Sequence, residues 1–228
     1  INNAQATDTI FSPNQDGSED TTTITADLTA VADWTVEIKN ASDQIVRSVS
    51  ARAAIVSFLW NGRDESDQQV PDGAYTWTIN ATDPVTQAQA APVSGTVKVD
   101  TVIDTSEIRE PVADANLSGT VAIKGLANDI NRRTDGNTVW YLQYGQGINP
   151  TSWTTLASDW RPAVLDAFNN PPTLYNWNTT QRVNGDYVLR LRVIDQAGNI
   201  SDTRIPVTLY NIAINNAQAT DTIFSPNQ

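Results

Sequence analysis

Apolar and polar side chains alternate along much of this chain. Trp34, Val36 and Ile38 are interleaved with Thr35, Glu37 and Lys39. Tyr75, Trp77, Ile79 and Ala81 alternate with Thr76, Thr78 and Asn80. Tyr187, Leu189, Leu191 and Val193 alternate with Val188, Arg190, Arg192 and Ile194. Successive side chains of an extended backbone point to opposite faces, so a period of two predicts strands with one buried face. Shorter runs at Val97 and Val99, Val121 and Ile123, and Val207 and Leu209 predict further strands. Turn formers punctuate them: residues 40–43, Pro71-Asp72-Gly73, Asp135-Gly136-Asn137, Asn184-Gly185 and Ala197-Gly198-Asn199. No stretch sustains a helical period, and the best helical candidate is a single turn near residues 151–156. Short strands with frequent turns predict an all-β chain built of antiparallel β-sandwiches.

The pattern echoes itself. Trp60-Asn61, a Gly turn at Asp72-Gly73, Tyr75 and an alternating strand ending at Asp83 are matched by Trp177-Asn178, Asn184-Gly185, Tyr187 and a strand ending at Asp195. This predicts two sandwiches of one design with the Trp and Tyr side chains as core anchors. A platform for a ligand is the alternative use of those rings. The expected division is a first sandwich over 8–99, a linker over 100–110 and a second sandwich over 105–213. No Gly/Ser-rich or Pro-rich spacer intervenes, so little freedom between modules is expected.

A longer repeat frames both. Residues 1–15 read INNAQATDTIFSPNQ, and residues 214–228 repeat them without a change, 213 positions later. One full period of a tandem array plus the start of the next copy accounts for this, with residues 1–15 as the joint and first strand. The chain opens on Ile1 rather than Met, as expected of a fragment or a processed product.

Composition narrows the chemistry. Cys, His and Met are absent. Without thiolate or imidazole this segment has no Cys-His or Ser-His-Asp mechanism and no His- or Cys-ligated metal. The net charge is −12, with 5 basic and 13 acidic side chains in residues 1–99 and 9 and 13 in residues 100–228. Such a surface repels nucleic acid and anionic lipid. No apolar run approaches the roughly 18 residues that span a bilayer.

The first module carries motifs of a known type. Phe11-Ser12-Pro13-Asn14-Gln15-Asp16-Gly17 is followed by Asp20-Thr21-Thr22-Thr23-Ile24, then by Trp60-Asn61-Gly62-Arg63-Asp64 and Val70-Pro71-Asp72-Gly73-Ala74-Tyr75. In that order they resemble the immunoglobulin-like (Ig-like) domain of flagellar hook-capping proteins, over residues 8–99. The family pattern has Gly where Gln15 stands. The resemblance implies an Ig-like sandwich serving as spacer or assembly module, not an enzyme. The second module is similar to sandwich repeats of giant bacterial surface proteins, through Tyr141-Leu142-Gln143-Tyr144-Gly145, Trp153, Trp177-Asn178-Thr179-Thr180 and the segment 193–199.

One segment has the makings of a ligand site. Asn14, Asp16, Ser18 and Asp20 place oxygen-bearing side chains at every second position around Gly17, as in the first half of a calcium loop. The acidic Glu that closes such a loop is missing, and the same residues also describe a polar turn. Calcium is the one cofactor expected, if any. Asp64, Glu65, Asp67 and Asp72 crowd another loop, where a solvated surface is expected rather than a paired-carboxylate active site. Asn-X-Ser/Thr triplets at Asn40, Asn80, Asn116, Asn178 and Asn199 are glycosylation acceptors only in a suitable host. Lys39, Lys98 and Lys124 are the only lysines from which a Lys–Asn cross-link could form.

These observations predict a structural repeat of a long extracellular bacterial fibre, filament or surface stalk. Its partners would be neighbouring copies joined covalently head to tail, with lateral self-association as a further possibility. An adhesin or glycan-binding module is the alternative, and a non-catalytic accessory region of a secreted hydrolase the third.

Overall fold

The computed structural model describes residues 1–137 and 139–212, so the second copy of the repeated segment, 214–228, lies outside the described residues. Every regular element among them is a strand. The first module holds β1 (Asn2–Ala6), β2 (Ile10–Phe11), β3 (Thr22–Lys39), β4 (Ile45–Trp60), β5 (Gly73–Thr82) and β6 (Val93–Val99). The second holds β7 (Thr105–Glu110), β8 (Ala115–Leu117), β9 (Thr120–Asn128), β10 (Trp140–Gln146), β11 (Thr154–Asp159), β12 (Thr173–Asn178), β13 (Gly185–Ile194) and β14 (Ile200–Leu209).

The first module is organised by β3. Its N-terminal half pairs with β1, its C-terminal half pairs with β5, and β4 runs antiparallel along its other edge. The register with β4 slips between Asp27 and Ala32, where the neighbour on the opposite edge changes. Even-numbered side chains stay inward on both sides of that irregularity: Thr22, Ile24 and Ala26, then Trp34, Val36 and Ile38, are all buried. They meet Phe11, Val56, Trp60, Tyr75, Trp77 and Ile79 in one core.

The second module is a sandwich of a five-stranded sheet, ordered β11-β10-β13-β14-β8, and a three-stranded sheet, ordered β12-β9-β7. Leu142, Leu189, Leu191 and Val193 from the larger sheet pack on Ile123 and Trp177 from the smaller. Residues 151–156, the helical candidate, bend and then enter β11. Thr154 and Thr155 pair across to Tyr144 and Gln143, and their β-branched side chains favour the extended state.

The echo between modules is physical. Tyr75 donates its hydroxyl to the Pro71 carbonyl at 2.7 Å, and Tyr187 donates to the Val183 carbonyl at 3.0 Å, each reaching four residues back. That tyrosine corner pins the entry of a late core strand in Ig-like sandwiches. In both modules the Tyr ring packs edge-on to the Trp, with centroids 5.3 Å apart for Trp60–Tyr75 and 6.1 Å for Trp177–Tyr187. Each module also closes on a parallel pair. β2 lies beside β6, and β8 lies beside β14.

Candidate functional site at the joint between the modules

β6 ends at Val99 and β7 begins at Thr105, so the connection is residues 100–104. Both modules hold it. On the first side, Asp100 N–H donates to the Phe11 carbonyl (3.1 Å), and Thr101 donates its N–H and hydroxyl to the Asp72 carboxylate (both 3.0 Å). On the second side, Asp104 N–H donates to Asp129 Oδ2 (3.0 Å), and Ile130 N–H donates to Asp104 Oδ2 (2.8 Å). The second module begins within hydrogen-bonding reach of the end of the first.

Asn199 is the hub of the joint. Its carboxamide Nδ2 donates to Asp195 Oδ2 (2.7 Å) and to the Asp100 carbonyl (2.8 Å). Its Oδ1 accepts the Ser12 hydroxyl at 2.5 Å and Asn14 Nδ2 at 3.3 Å. Gly198, at φ +84°, makes the turn that brings Asn199 back to Asp195. Asn131 forms the second bridge: its Oδ1 accepts Lys98 Nζ (2.7 Å), and its Nδ2 donates to Asp100 Oδ2 (2.7 Å).

Three carboxyl groups converge inside this network. Asp100 comes from the connection, Asp129 from the residue after β9 and Asp195 from the residue after β13. They are 5%, 0% and 1% exposed, and one oxygen from each lies within 4.8 Å of the others. None of the salt bridges among the described residues involves any of the three. Burial pushes Asp195 up to about 7, against the hydrogen bonds from Asn199 and with the charges of Asp100 and Asp129 adding to the rise. Burial also raises Asp100, opposed by the Asn131 hydrogen bond and reinforced by Asp129 and Asp72. Oxygens this close and this dry can share a proton or a cation. As three bare anions they repel one another.

The loop carrying Asn14, Asp16, Ser18 and Asp20 abuts the joint. Its carboxylates bind its own backbone: Asp16 Oδ1 accepts Ser18 N–H (2.8 Å), Asp20 Oδ1 accepts Gln15 N–H (2.6 Å), and Asp20 Oδ2 accepts Gly17 N–H (2.8 Å). Asn14 turns its Nδ2 toward Asn199, and the Ser18 side chain lies over Gly198. These four residues therefore form a turn fitted against the second module. The three-carboxylate group identified above does not include Asp16 or Asp20. Gln15, where the family pattern has Gly, has φ +66°, the left-handed conformation that favours glycine.

The other acidic loop is likewise internally bonded. Asp64 Oδ1 accepts the N–H groups of Ser66 (2.8 Å) and Gln68 (2.9 Å), and Glu65 accepts Ser48 N–H. Lys39 and Lys124 lie beside the carboxylates of Asp43 and Glu110, while Lys98 reaches across the joint to Asn131.

Two sandwiches in tandem, each with a tyrosine corner, define the class as an all-β pair of Ig-like modules. Residues 10–84, within the first module, match the family model of the FlgD Ig-like domain, the hook-capping type that the motifs of that module resemble. No curated protein matches the sequence. Similar solved structures include the FN1–FN3 domains of chicken CNTN1, with 12% identity, 88% of this chain and 62% of that one covered, and a TM-score of 0.37. A calcium-stabilised, ice-binding adhesin of an Antarctic bacterium has 16% identity, coverage of 90% and 47%, and a TM-score of 0.42. A tetra-tandem repeat from the extending region of a large adhesion protein has 15% identity, coverage of 90% and 49%, and a TM-score of 0.31. The chain thus spans between 47% and 62% of the length of these structures.

Proposed function

We infer that this chain is a structural repeat unit of a long extracellular bacterial fibre or surface stalk. Its role is mechanical and non-catalytic: sandwiches in series set length, and short bonded joints limit bending. The observation that carries this reading is the return of fifteen residues unchanged after 213 positions. The bonded connection of five residues between the modules supports it, because a spacer needs joints that resist rotation. Repeats stacked in this way depend mainly on their immediate neighbours.

The test is the mass of the native protein under fully denaturing conditions. A species many times the 24.8 kDa of this chain supports the tandem array. A species near that mass overturns it. Adhesion is the second reading, favoured by the aromatic side chains that the second module leaves in solvent: Phe168 is 84% exposed and Trp160 53%. Binding on a glycan array that Phe168→Ala and Trp160→Ala abolish would favour adhesion over a pure spacer.

A further inference from the structure

We propose that Lys98 and Asn131 join through an amide bond with loss of ammonia, closing the joint between the two sandwiches covalently. The bond goes beyond the spacer reading and does not depend on it, since an adhesin would gain the same brace.

Contact between the reactants is the first ground. Lys98 Nζ donates to the Asn131 carboxamide oxygen at 2.7 Å. A carbonyl bond is about 1.23 Å long, so that nitrogen stands roughly 3–4 Å from Cγ, the carbon an amine attacks. Reacting atoms about 3–3.5 Å apart are close to an attack geometry. Both backbones are fixed. Lys98 lies in β6 between Ala74 of β5 and Ile10 of β2, and its N–H donates to the Thr9 carbonyl at 2.9 Å. Asn131 N–H donates to Asp129 Oδ1 at 2.6 Å, and the Asn131 carbonyl accepts Gln196 N–H at 3.0 Å. The lysine stem is flexible, so a small rotation carries Nζ from the oxygen onto the face of Cγ. Lys39 and Lys124 each pair with a carboxylate, Asp43 and Glu110. Lys98 faces a carboxamide instead.

The surroundings of the leaving group are the second, independent ground. Asn131 Nδ2 donates to Asp100 Oδ2 at 2.7 Å. An ammonium can only donate and a carboxylate can only accept, so these two neighbours fix the orientation of the carboxamide. Its oxygen faces the nucleophile, and the nitrogen that must depart faces a carboxyl group. Burial raises Asp100 above its ordinary value, opposed by the Asn131 hydrogen bond and reinforced by the charges of Asp129 and Asp72. It therefore holds a proton more readily than an exposed carboxylate does. Such a group can take a proton from the attacking amine and pass it to the leaving one.

The reaction needs nothing beyond these three side chains. Lys98 sheds its ammonium proton to solvent, and the Nζ lone pair forms a bond to Cγ while the carbonyl pair moves onto Oδ1. One proton passes from Nζ to the Asp100 carboxylate and from there to Nδ2. The carbonyl re-forms, the Cγ–Nδ2 bond breaks and ammonia leaves. Asp100 ends as it began, and nothing is oxidised or reduced. The product would add a second covalent path beside the five-residue connection. Twisting one sandwich against the other would then strain covalent bonds as well as hydrogen bonds.

The test is intact-mass spectrometry of the folded full chain, followed by trypsin digestion. The expected mass is about 17 Da below that of the sequence, the loss of one ammonia. Trypsin should release residues 64–109, uncut at the acylated Lys98, joined to residues 125–132. Lys98→Arg is expected to keep its full mass and give only linear peptides. Asp100→Asn is expected to slow formation of the joined peptide roughly a hundredfold or more. A cooperative melt followed by tryptophan fluorescence certifies that each variant folds. A folded parent that keeps its full mass after prolonged incubation would overturn the proposal. So would a loss of ammonia with linear peptides only, which would place a succinimide at Asn61-Gly62 or Asn184-Gly185 instead. A folded Asp100→Asn that cross-links at the parent's rate would overturn the role given to Asp100.

Discussion

Truncating Asn199 to Ala should uncouple the two modules while leaving both sandwiches folded. The change deletes three buried hydrogen bonds: from the Ser12 hydroxyl (2.5 Å), to Asp195 Oδ2 (2.7 Å) and to the Asp100 carbonyl (2.8 Å). A neutral hydrogen bond contributes about 1 kcal/mol net, and one to a charged group about 1.5–3 kcal/mol. The partners left behind are Ser12, 1% exposed, and Asp195, also 1%, so water replaces the carboxamide poorly. A loss of about 3–5 kcal/mol follows. The Asn199 N–H to Asp195 Oδ1 bond belongs to the backbone and survives, so the turn itself persists. The assay is urea unfolding in EDTA, followed by tryptophan fluorescence and by circular dichroism. At a slope of about 2–3 kcal/mol per molar, the midpoint for the joint-coupled transition should fall by roughly 1–2 M. Ser12→Ala should lose less, and the double variant should show a coupling of at least about 0.5 kcal/mol with Asn199→Ala. A midpoint shift under about 0.3 M, with strict additivity, would refute the view that Asn199 ties the modules together.

Three further outcomes are expected. Gly95→Ala drives a methyl group into the Trp77 indole, so it should destabilise the first module by about 1–3 kcal/mol, read as a lower melting temperature for that module alone. Gln15→Gly relieves a left-handed backbone at φ +66° but loosens the unfolded chain, so a net gain of about 0.5 kcal/mol is expected by chemical denaturation. The Asp83 carboxylate accepts the N–H groups of Thr86 and Val85, which hold its pKa below the ordinary 3.8. Its stabilising contribution is therefore complete above pH 3.8 and disappears as pH falls through the lower folded value, which a carbon-detected NMR titration of Asp83 would locate.

Strands that pack one face on a core declared themselves in the sequence, and strands that do not were silent. β5 alternates cleanly because every second side chain is needed inside, and β13 keeps the same inward set although Val188 and Arg190 on its other face are buried as well. β4 is sixteen residues long, yet Val56 and Trp60 are its only fully buried side chains, so its apolar residues keep no period. Its conformation is imposed by pairing with β3 rather than by its own pattern. Tyr75 and Tyr187 were legible as core anchors after a Gly turn, but the hydroxyl bond each makes four residues back was not. The left-handed backbone at Gln15 was foreshadowed by the glycine that the family pattern carries there. The carboxyl cluster was not legible. Asp100, Asp129 and Asp195 are 29 and 66 residues apart, and each sits at the end of a different strand. Spacing rules describe ligands on one loop, whereas here the sheet topology gathers them. The Asn14 loop had the local spacing, and its oxygens were taken up by its own N–H groups.

The parallel pairs that close each sandwich have a consequence for a chain under tension. In the first module, β2, which follows the short strand β1, and β6, the last strand, run side by side in the same direction. Drawing their far ends apart slides one strand along the other, so their cross-links must rupture together instead of peeling one at a time. β8 and β14 repeat that geometry at the far end of the second module. A tether assembled from such units would yield abruptly, one module at a time, and hold its length until it does.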